Sequence, residues 1–146
     1  MTDVNEANEQ ADKLYAEYRL RLNENANDLE AAVGIGNMYY DAKEPAQAVL
    51  YYRIALDIEP NQPGVMTDMA TMYWHNDNTA QAEQAYRTVI ASYPGFGNAY
   101  LNLGYLLTHA KKQHQEAREI WEALIEGWPN DPAANKIREL IAETVH

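Results

Sequence analysis

The four histidines, all in the second half of the chain, are the residues best suited to proton transfer or metal binding at neutral pH. His75 stands two residues before Asp77, a spacing that has no catalytic meaning by itself. His109 and His114 are five residues apart, so they miss the i, i+4 spacing by which two histidines on one helix face bind zinc. The chain contains no cysteine, which removes thiolate ligands, thiol nucleophiles and disulfides. We therefore predict no metal site.

Other catalytic patterns are missing from the sequence as well. No Gly-rich phosphate loop and no Gly-x-Ser-x-Gly element occurs. The acidic side chains of Glu116, Glu119 and Glu122 share one helix face, as solvated residues commonly do. We predict that the protein is not an enzyme, has no catalytic residues and uses no cofactor.

The charge and hydropathy of the chain argue against some classes of partner. Its 22 acidic and 11 basic residues give a net charge of −11, which repels a phosphate backbone and argues against nucleic acid. No apolar run approaches the roughly 18 residues of a membrane span, so we expect no direct membrane insertion. The residues Met1 to Glu6 lack the basic and apolar regions of a signal peptide. We expect a cytoplasmic protein, or a periplasmic or membrane-anchored one if the chain is part of a longer protein.

Residues of the same kind recur every 34 or 35 positions. The recurring sets are the prolines at 60, 94 and 129, the small residues at 36, 70 and 104, and the alanines at 48, 82 and 117. One extra residue falls between Leu107 and Ala117, where a turn can absorb it. A fixed period of this length indicates a solenoid of repeated helical units.

Each period contains two helical patterns separated by a turn. In the first period Ala32, Ile35, Gly36 and Tyr39 follow the i, i+3, i+4, i+7 rule of a buried helix stripe. Pro45 then suits the first turn of a second helix. The second stripe consists of Ala48, Tyr52, Ala55 and Leu56.

The small residues and the helix starts carry further predictions. Two antiparallel helices approach closely only where side chains are short, so Gly36 and Gly104 are predicted to serve helix packing. Asn27, with Glu30 three residues later, predicts a helix start of the capping-box kind.

The periodic positions resemble the tetratricopeptide repeat, in which an aromatic, Leu-Gly and Tyr lie on one helix and Ala, Phe and Pro lie on the next. The three copies are Ala32-x-x-Ile35-Gly36-x-x-Tyr39 with Ala48-x-x-x-Tyr52 and Pro60; Met66-x-x-Met69-Ala70-x-x-Tyr73 with Ala82-x-x-x-Tyr86 and Pro94; and Tyr100-x-x-Leu103-Gly104-x-x-Leu107 with Ala117-x-x-x-Trp121 and Pro129. The family's turn glycine is absent from all three copies, and Lys43, Asp77 and Lys111 stand nearby instead. The resemblance implies an all-α fold, an α-solenoid of antiparallel helix pairs (a tetratricopeptide-repeat superhelix) with N- and C-terminal capping helices.

Both ends of the chain carry helical patterns suited to capping an array. The N-terminal pattern is Ala7, Ala11, Leu14, Tyr18 and Leu22, and the C-terminal one is Ile137, Leu140 and Ile141. We predict one continuous domain with an N-terminal cap at 1–28, repeats at 29–62, 63–96 and 97–131, and a C-terminal cap at 132–146.

The resemblance also implies that the first helix of each pair lines a concave groove. A second stripe lies on these helices beside the buried one, with i, i+4, i+7 and i+8 spacing. The predicted groove residues are Asn37, Tyr40 and Asp41 in repeat one, Thr67, Asp68, Thr71, Trp74 and His75 in repeat two, and Asn98, Leu101, Asn102, Tyr105, Thr108 and His109 in repeat three.

This set combines aromatic rings with amide and hydroxyl groups, a mixture that suits a peptide segment. The alternative interpretation is that Tyr40 and Trp74 pack between adjacent hairpins, and the sequence leaves it open. Chaperone-binding members of the family place cations where Val33, Thr67 and Leu101 stand here, so that mode of binding is not expected. Asp41 and Asp68 instead favour a neutral or basic partner segment.

These features predict a scaffold or adaptor that binds another protein or peptide in its groove. One alternative is a self-assembling unit that forms dimers or filaments through its N-terminal helix or an exposed end. Another is the soluble part of a bacterial envelope assembly factor, because the segment from Trp121 to Ile125, Pro129 and the last helix resemble repeat domains of cytochrome c maturation proteins.

Overall fold

The computed structural model describes residues 3–144, and the side chains of residues 6–144, as an all-α chain of eight helices. The helices are α1 (Asp3–Glu24), α2 (Leu29–Asp41), α3 (Pro45–Ile58), α4 (Pro63–His75), α5 (Thr79–Ser92), α6 (Gly97–His109), α7 (His114–Gly127) and α8 (Pro132–Thr144). No strand interrupts the described residues. None of these helices is both long and apolar enough to cross a membrane. The predicted all-α class of antiparallel helix pairs is confirmed.

Proline marks both the starts and the ends of the helices. Pro45, Pro63 and Pro132 are the first residues of α3, α4 and α8, where the missing N–H costs no intrahelical hydrogen bond. The three periodic prolines each follow a second helix by two residues, after Ile58, Ser92 and Gly127. The helices begin at 29, 63, 97 and 132, but the division into repeats and caps remains a prediction.

In each turn within a helix pair, one residue that is not glycine has the left-handed backbone conformation. The positive φ angles are 59° at Lys43, 62° at Asp77 and 57° at Lys112. In the first turn the Glu44 N–H donates to the Tyr39 carbonyl over 2.9 Å, and the Asn78 N–H likewise donates to Tyr73 over 2.9 Å. The left-handed residue thus lets the chain reverse while it satisfies carbonyls at the helix end.

One compact unit ends at Val65 and contains α1, α2 and α3. Its core residues include Ala32, Ile35, Ala48 and Tyr52, all with no exposed surface. The buried stripes predicted for the first period are therefore confirmed at these positions.

The start of α2 differs from its prediction. Asp28, not Asn27, is the N-cap, and its side chain accepts a hydrogen bond of 3.0 Å from the Ala31 N–H. Glu30 does not close a capping box, because the Asp28 N–H donates to the Asn25 carbonyl over 3.1 Å, while the Glu30 carboxylate accepts from Arg21 over 3.0 Å. The capping-box prediction was wrong by one residue and in its second partner.

Only the second half of α1 covers the first helix pair. Tyr18 packs on Gly34, where a Cβ atom would overlap its ring, and Leu22 is half-buried. Residues 6–14 are exposed throughout, including the predicted capping residues Ala7, Ala11 and Leu14. The N-terminal cap is therefore shorter than the sequence pattern predicted.

The other compact unit begins at Met66 and contains most of α4 together with α5 to α8. A cluster of Tyr100, Trp121, Leu124, Ala133 and Ile137 joins α6, α7 and α8. Leu140 and Ile141 pack against this cluster from α8. The predicted apolar side of the last helix is thus the side that covers α6 and α7.

Candidate partner-binding faces

In two helix pairs an aromatic ring of the second helix lies against a glycine of the first. A Cβ atom at Gly36 would lie 2.6 Å from the Tyr52 ring, and one at Gly104 would overlap the Trp121 indole. Ala70 and Tyr86 occupy the same positions in the second pair, and both are fully buried. The small residues therefore give room to these rings, as predicted from their spacing.

Each of these rings also has a polar partner on the first helix. The Tyr52 hydroxyl donates to Asn37 Oδ1 over 2.7 Å. The Tyr86 hydroxyl lies 2.7 Å from Thr71 Oγ1. In the third pair the Trp121 indole N–H donates to the Leu101 carbonyl over 3.3 Å. Two predicted groove residues, Asn37 and Thr71, thus hold their own helix pairs together, and the exposed Asn37 keeps its amide nitrogen for a partner.

One predicted groove residue lies in the core. Thr67 is only 1% exposed, and its carbonyl accepts a hydrogen bond of 3.2 Å from Thr71 Oγ1. A side chain with so little exposed surface cannot contact a partner in this conformation. The helix stripe was inferred from spacing alone, which does not register what packs over each position.

Two predicted residues of α6 are shared with the core. Leu101 and Tyr105 pack against the cluster around Trp121. The Tyr105 ring meets the Trp121 ring edge-on at 6.1 Å and stacks on His109 at 5.9 Å. Tyr105 therefore packs within its own helix pair, while the residue stays half-exposed.

The remaining predicted residues keep open surface. Asn98, His109, His75 and Asp41 are exposed, and Tyr40, Asp68, Trp74, Asn102 and Thr108 are half-buried. The Trp74 ring lies 6.5 Å from its neighbour His75. Its indole N–H has no hydrogen-bond partner among residues 6–144, unlike that of Trp121.

The structure also brings together a tyrosine cluster that the sequence does not predict. The hydroxyls of Tyr15 and Tyr39 are 2.8 Å apart, and the rings of Tyr39 and Tyr51 stack at 5.7 Å. Arg19 Nη1 donates to the hydroxyl of Tyr15 over 3.0 Å and to that of Tyr51 over 3.2 Å. The only signal in the sequence was the high tyrosine content of 11 residues, because these positions come from three separate helices.

The hydrogen bond between Tyr15 and Tyr39 shifts their pKa values in opposite directions. It lowers the pKa of Tyr15, and Arg19 lowers it further. The same hydrogen bond, together with burial, raises the pKa of Tyr39 to about 12. These directions are those expected if Tyr39 donates and Tyr15 accepts.

Within residues 6–144, no three histidine, aspartate or glutamate side chains are grouped so that they could hold a metal ion. His75 and His109 lie at the ends of α4 and α6, and His114 begins α7. The remaining histidine, His146, lies outside the described residues.

Comparison with known proteins places this helix-pair architecture in a class. Residues 67–135 match the family model described as tetratricopeptide repeat. A crystal structure of MamA superposes with a TM-score of 0.76 at 20% identity, over 99% of this chain and 84% of that chain. The first such domain of Spaghetti (RPAP3), solved with the HSP90 peptide SRMEEVD, has a TM-score of 0.65 at 24% identity, over 81% of this chain and 96% of that one.

A curated relative gives a third comparison. The peroxisomal targeting signal receptor of Kluyveromyces lactis is 26% identical over 97 residues, which are 66% of this chain. The match spans only 17% of that receptor's length. The chain is an all-α protein of repeated helix pairs, and it is similar to the tetratricopeptide-repeat proteins over residues 67–135. The repeat is a non-catalytic interaction module, and this fold is consistent with a protein-binding scaffold.

Proposed function

We propose that the chain is a scaffold or adaptor that binds a partner segment on the first helices of its pairs, with Trp74 as the main contact. Trp74 carries this proposal, because it is a large ring with open surface and an indole N–H without a partner among residues 6–144. Tryptophan of this kind is enriched among the residues that dominate protein interfaces. The structure of the Spaghetti domain contains a bound peptide, and this supports the proposal that the fold can be used for peptide binding.

The polar residues of the first helices favour a neutral or basic segment. Asp68 lies on the same helix as Trp74, and Asp41 is exposed on α2. Asn98 and Asn102 on α6 offer amide groups that can bond a peptide backbone. The chain carries a net charge of −11, which attracts basic segments at long range.

Selection from a library of random peptides tests this proposal directly. The library is displayed and selected on the purified protein, and the affinity of a selected peptide is measured for variants. Trp74→Ala should weaken it by about 30-fold, equivalent to about 2 kcal/mol for a buried aromatic contact. Asn102→Ala on α6 should weaken it less, by about two- to tenfold for one hydrogen bond.

Trp128→Ala is the matched control. Trp128 is also partly exposed, at 39%, but it is the C-cap residue of α7, which is a second helix. It should leave the affinity unchanged. The denaturant midpoint of each variant must be measured in parallel, since loss of a core aromatic costs about 3–5 kcal/mol. A large stability loss for Trp74→Ala with unchanged affinity would mean that Trp74 is a packing residue and that the binding surface lies elsewhere.

Self-assembly is a second candidate, and the exposed half of α1 favours it. All side chains of residues 6–14 are exposed, and Leu14 retains 40% of its surface. An apolar stripe of this kind can pack on another copy of the chain. Light scattering over a range of concentrations should then show mass increasing with concentration, and Leu14→Glu should abolish the increase. A constant monomer mass would exclude this candidate.

A further inference from the structure

The side chain of Arg19 is held in place without an acidic partner. Its Nη1 group donates to Tyr15 and Tyr51, and its guanidinium lies 5.8 Å from the centre of the Tyr15 ring. Within residues 6–144, no carboxylate forms an ion pair with Arg19, whereas Arg21 on the same helix pairs with Asp28 and Glu30. Arg19 is therefore a positioned guanidinium whose positive charge is not matched by a carboxylate among the described residues.

The donor groups that remain in this cluster point to an anionic ligand. Both Nη1 hydrogens are used by the two tyrosines, which leaves Nε and Nη2, the edge that binds carboxylates with two parallel hydrogen bonds. The Tyr51 oxygen accepts from Arg19, so its own O–H group is available to donate. The hydroxyls of Tyr15 and Tyr39 are 2.8 Å apart, and when Tyr39 is the donor of this hydrogen bond the Tyr15 O–H group is available as well.

We propose that Arg19, Tyr15 and Tyr51 form an oxyanion-binding site that takes a single carboxylate from an acidic segment of a partner protein. One guanidinium balances the single charge of a carboxylate, while a phosphate group carries more charge than this one cation can match. The site is built from α1 and α3, with Tyr39 of α2 behind it, so it shares no residue with the proposed first-helix contacts. It does not depend on the function proposed for those contacts.

The test uses two capped tripeptides, Gly-Glu-Gly and Gly-Gln-Gly, at constant ionic strength. Nuclear magnetic resonance reports the Arg19 Nε–H group and the rings of Tyr15, Tyr39 and Tyr51. The glutamate peptide should shift these resonances with a saturable dissociation constant of roughly millimolar order, and the glutamine peptide should not. Inorganic phosphate is titrated as a third probe and should bind more weakly than the glutamate peptide.

Variants separate the site from nonspecific attraction. Arg19→Gln should weaken binding at least about tenfold, as read from the tyrosine rings. Tyr51→Phe keeps the ring stack on Tyr39 but removes one hydroxyl, and should weaken binding about two- to tenfold. Arg118→Gln removes a half-buried arginine from α7 and should leave the binding of the peptide unchanged. Circular dichroism and denaturant midpoints establish that each variant is folded.

Three results would overturn the proposal. They are equal shifts with the glutamate and glutamine peptides, unchanged binding by folded Arg19→Gln, and binding of inorganic phosphate that is tighter than that of the glutamate peptide. A linear shift that never saturates would also overturn the proposal, because it would show nonspecific association.

Discussion

Aromatic rings of the second helices fill the space that a side chain would need at Gly36 and Gly104. Tyr52 and Trp121 are almost completely buried there, and each has a hydrogen-bond partner on the first helix. Glycine in a helix costs about 1 kcal/mol relative to alanine. The cost is offset because the ring can be buried with its polar group satisfied.

Gly104→Ala tests this contact at the scale of one methyl group. The new Cβ atom would overlap the Trp121 indole, so the variant should lose about 1–3 kcal/mol of unfolding free energy from overpacking. Gly127→Ala is the control, because a Cβ atom there would meet nothing within 4 Å. It should be neutral or slightly stabilising. Equal denaturant midpoints for Gly104→Ala and the wild type would show that the indole can move away from the new methyl group without cost.

The Tyr15–Tyr39 pair should make the free energy of unfolding depend on pH in the alkaline range. The pKa of Tyr39 in the folded protein is about 12, above its ordinary value of 10. The proton is therefore held more tightly in the folded state, so this contribution is present below pH 10 and lost as the pH rises from about 10 to 12. The lowered pKa of Tyr15 acts in the opposite direction and makes the net slope smaller.

Tyrosine ring NMR measures the pair directly. We expect two ionisation steps that belong to the pair, one below pH 10 and one near 12. Tyr39→Phe should remove the late step and move the early one upward, since Tyr15 then loses its hydrogen-bond donor. Two coincident steps near pH 10 would contradict the hydrogen bond.

At the scale of the elements, the turns within the helix pairs depend on three left-handed residues that are not glycine. A side chain with a Cβ atom in this conformation costs roughly 1–2 kcal/mol, and aspartate tolerates it better than lysine. Lys43, at φ 59°, and Lys112, at φ 57°, therefore carry strain that glycine would relieve.

Lys43→Gly should stabilise the protein by about 0.5–1 kcal/mol, because the relief of strain exceeds the added entropy of the unfolded chain. Asp77→Gly, the comparison variant, should gain less. Thermal or denaturant unfolding measures both. A loss of stability in Lys43→Gly would mean that the lysine side chain makes a contact that outweighs its strained backbone.

At the scale of the whole molecule, charge is the dominant global property. The excess acidic groups behind the net charge of −11 repel one another, and the ion pairs among the described residues are mostly at the surface, where each contributes little. Raising ionic strength from about 0.01 to about 0.15 M shortens the screening length from about 30 to about 8 Å. The added salt should therefore weaken the repulsion among the acidic groups more than it weakens the attraction within the ion pairs.

We expect the melting temperature to rise by about 2–4 °C over that range, corresponding to roughly 1 kcal/mol for a chain of this size. Sodium chloride is the suitable salt, and circular dichroism follows the transition. A melting temperature that falls with salt would show that the ion pairs, such as that of Glu83 with Lys111, outweigh the net repulsion.

The sequence by itself determined the class of this protein, its helix pairs and the contact positions within each pair. The same close contact between two helices recurs every 34 residues. The residues at that contact, Gly36, Ala70 and Gly104, are therefore all small. Prolines that cannot continue a helix fixed the ends of the second helices at the same interval. These features are local or strictly periodic, and spacing alone reports them.

Only the tertiary structure decided which side chains of each face remain open and which distant residues meet. Thr67 is buried although it shares the spacing of the predicted groove residues, because spacing shows the direction of a side chain along its own helix and not what covers it. Asp28 rather than Asn27 caps α2, a choice set by the geometry of one turn. The cluster of Arg19 with Tyr15, Tyr39 and Tyr51 depends on contacts between three helices, and no period along the chain encodes them.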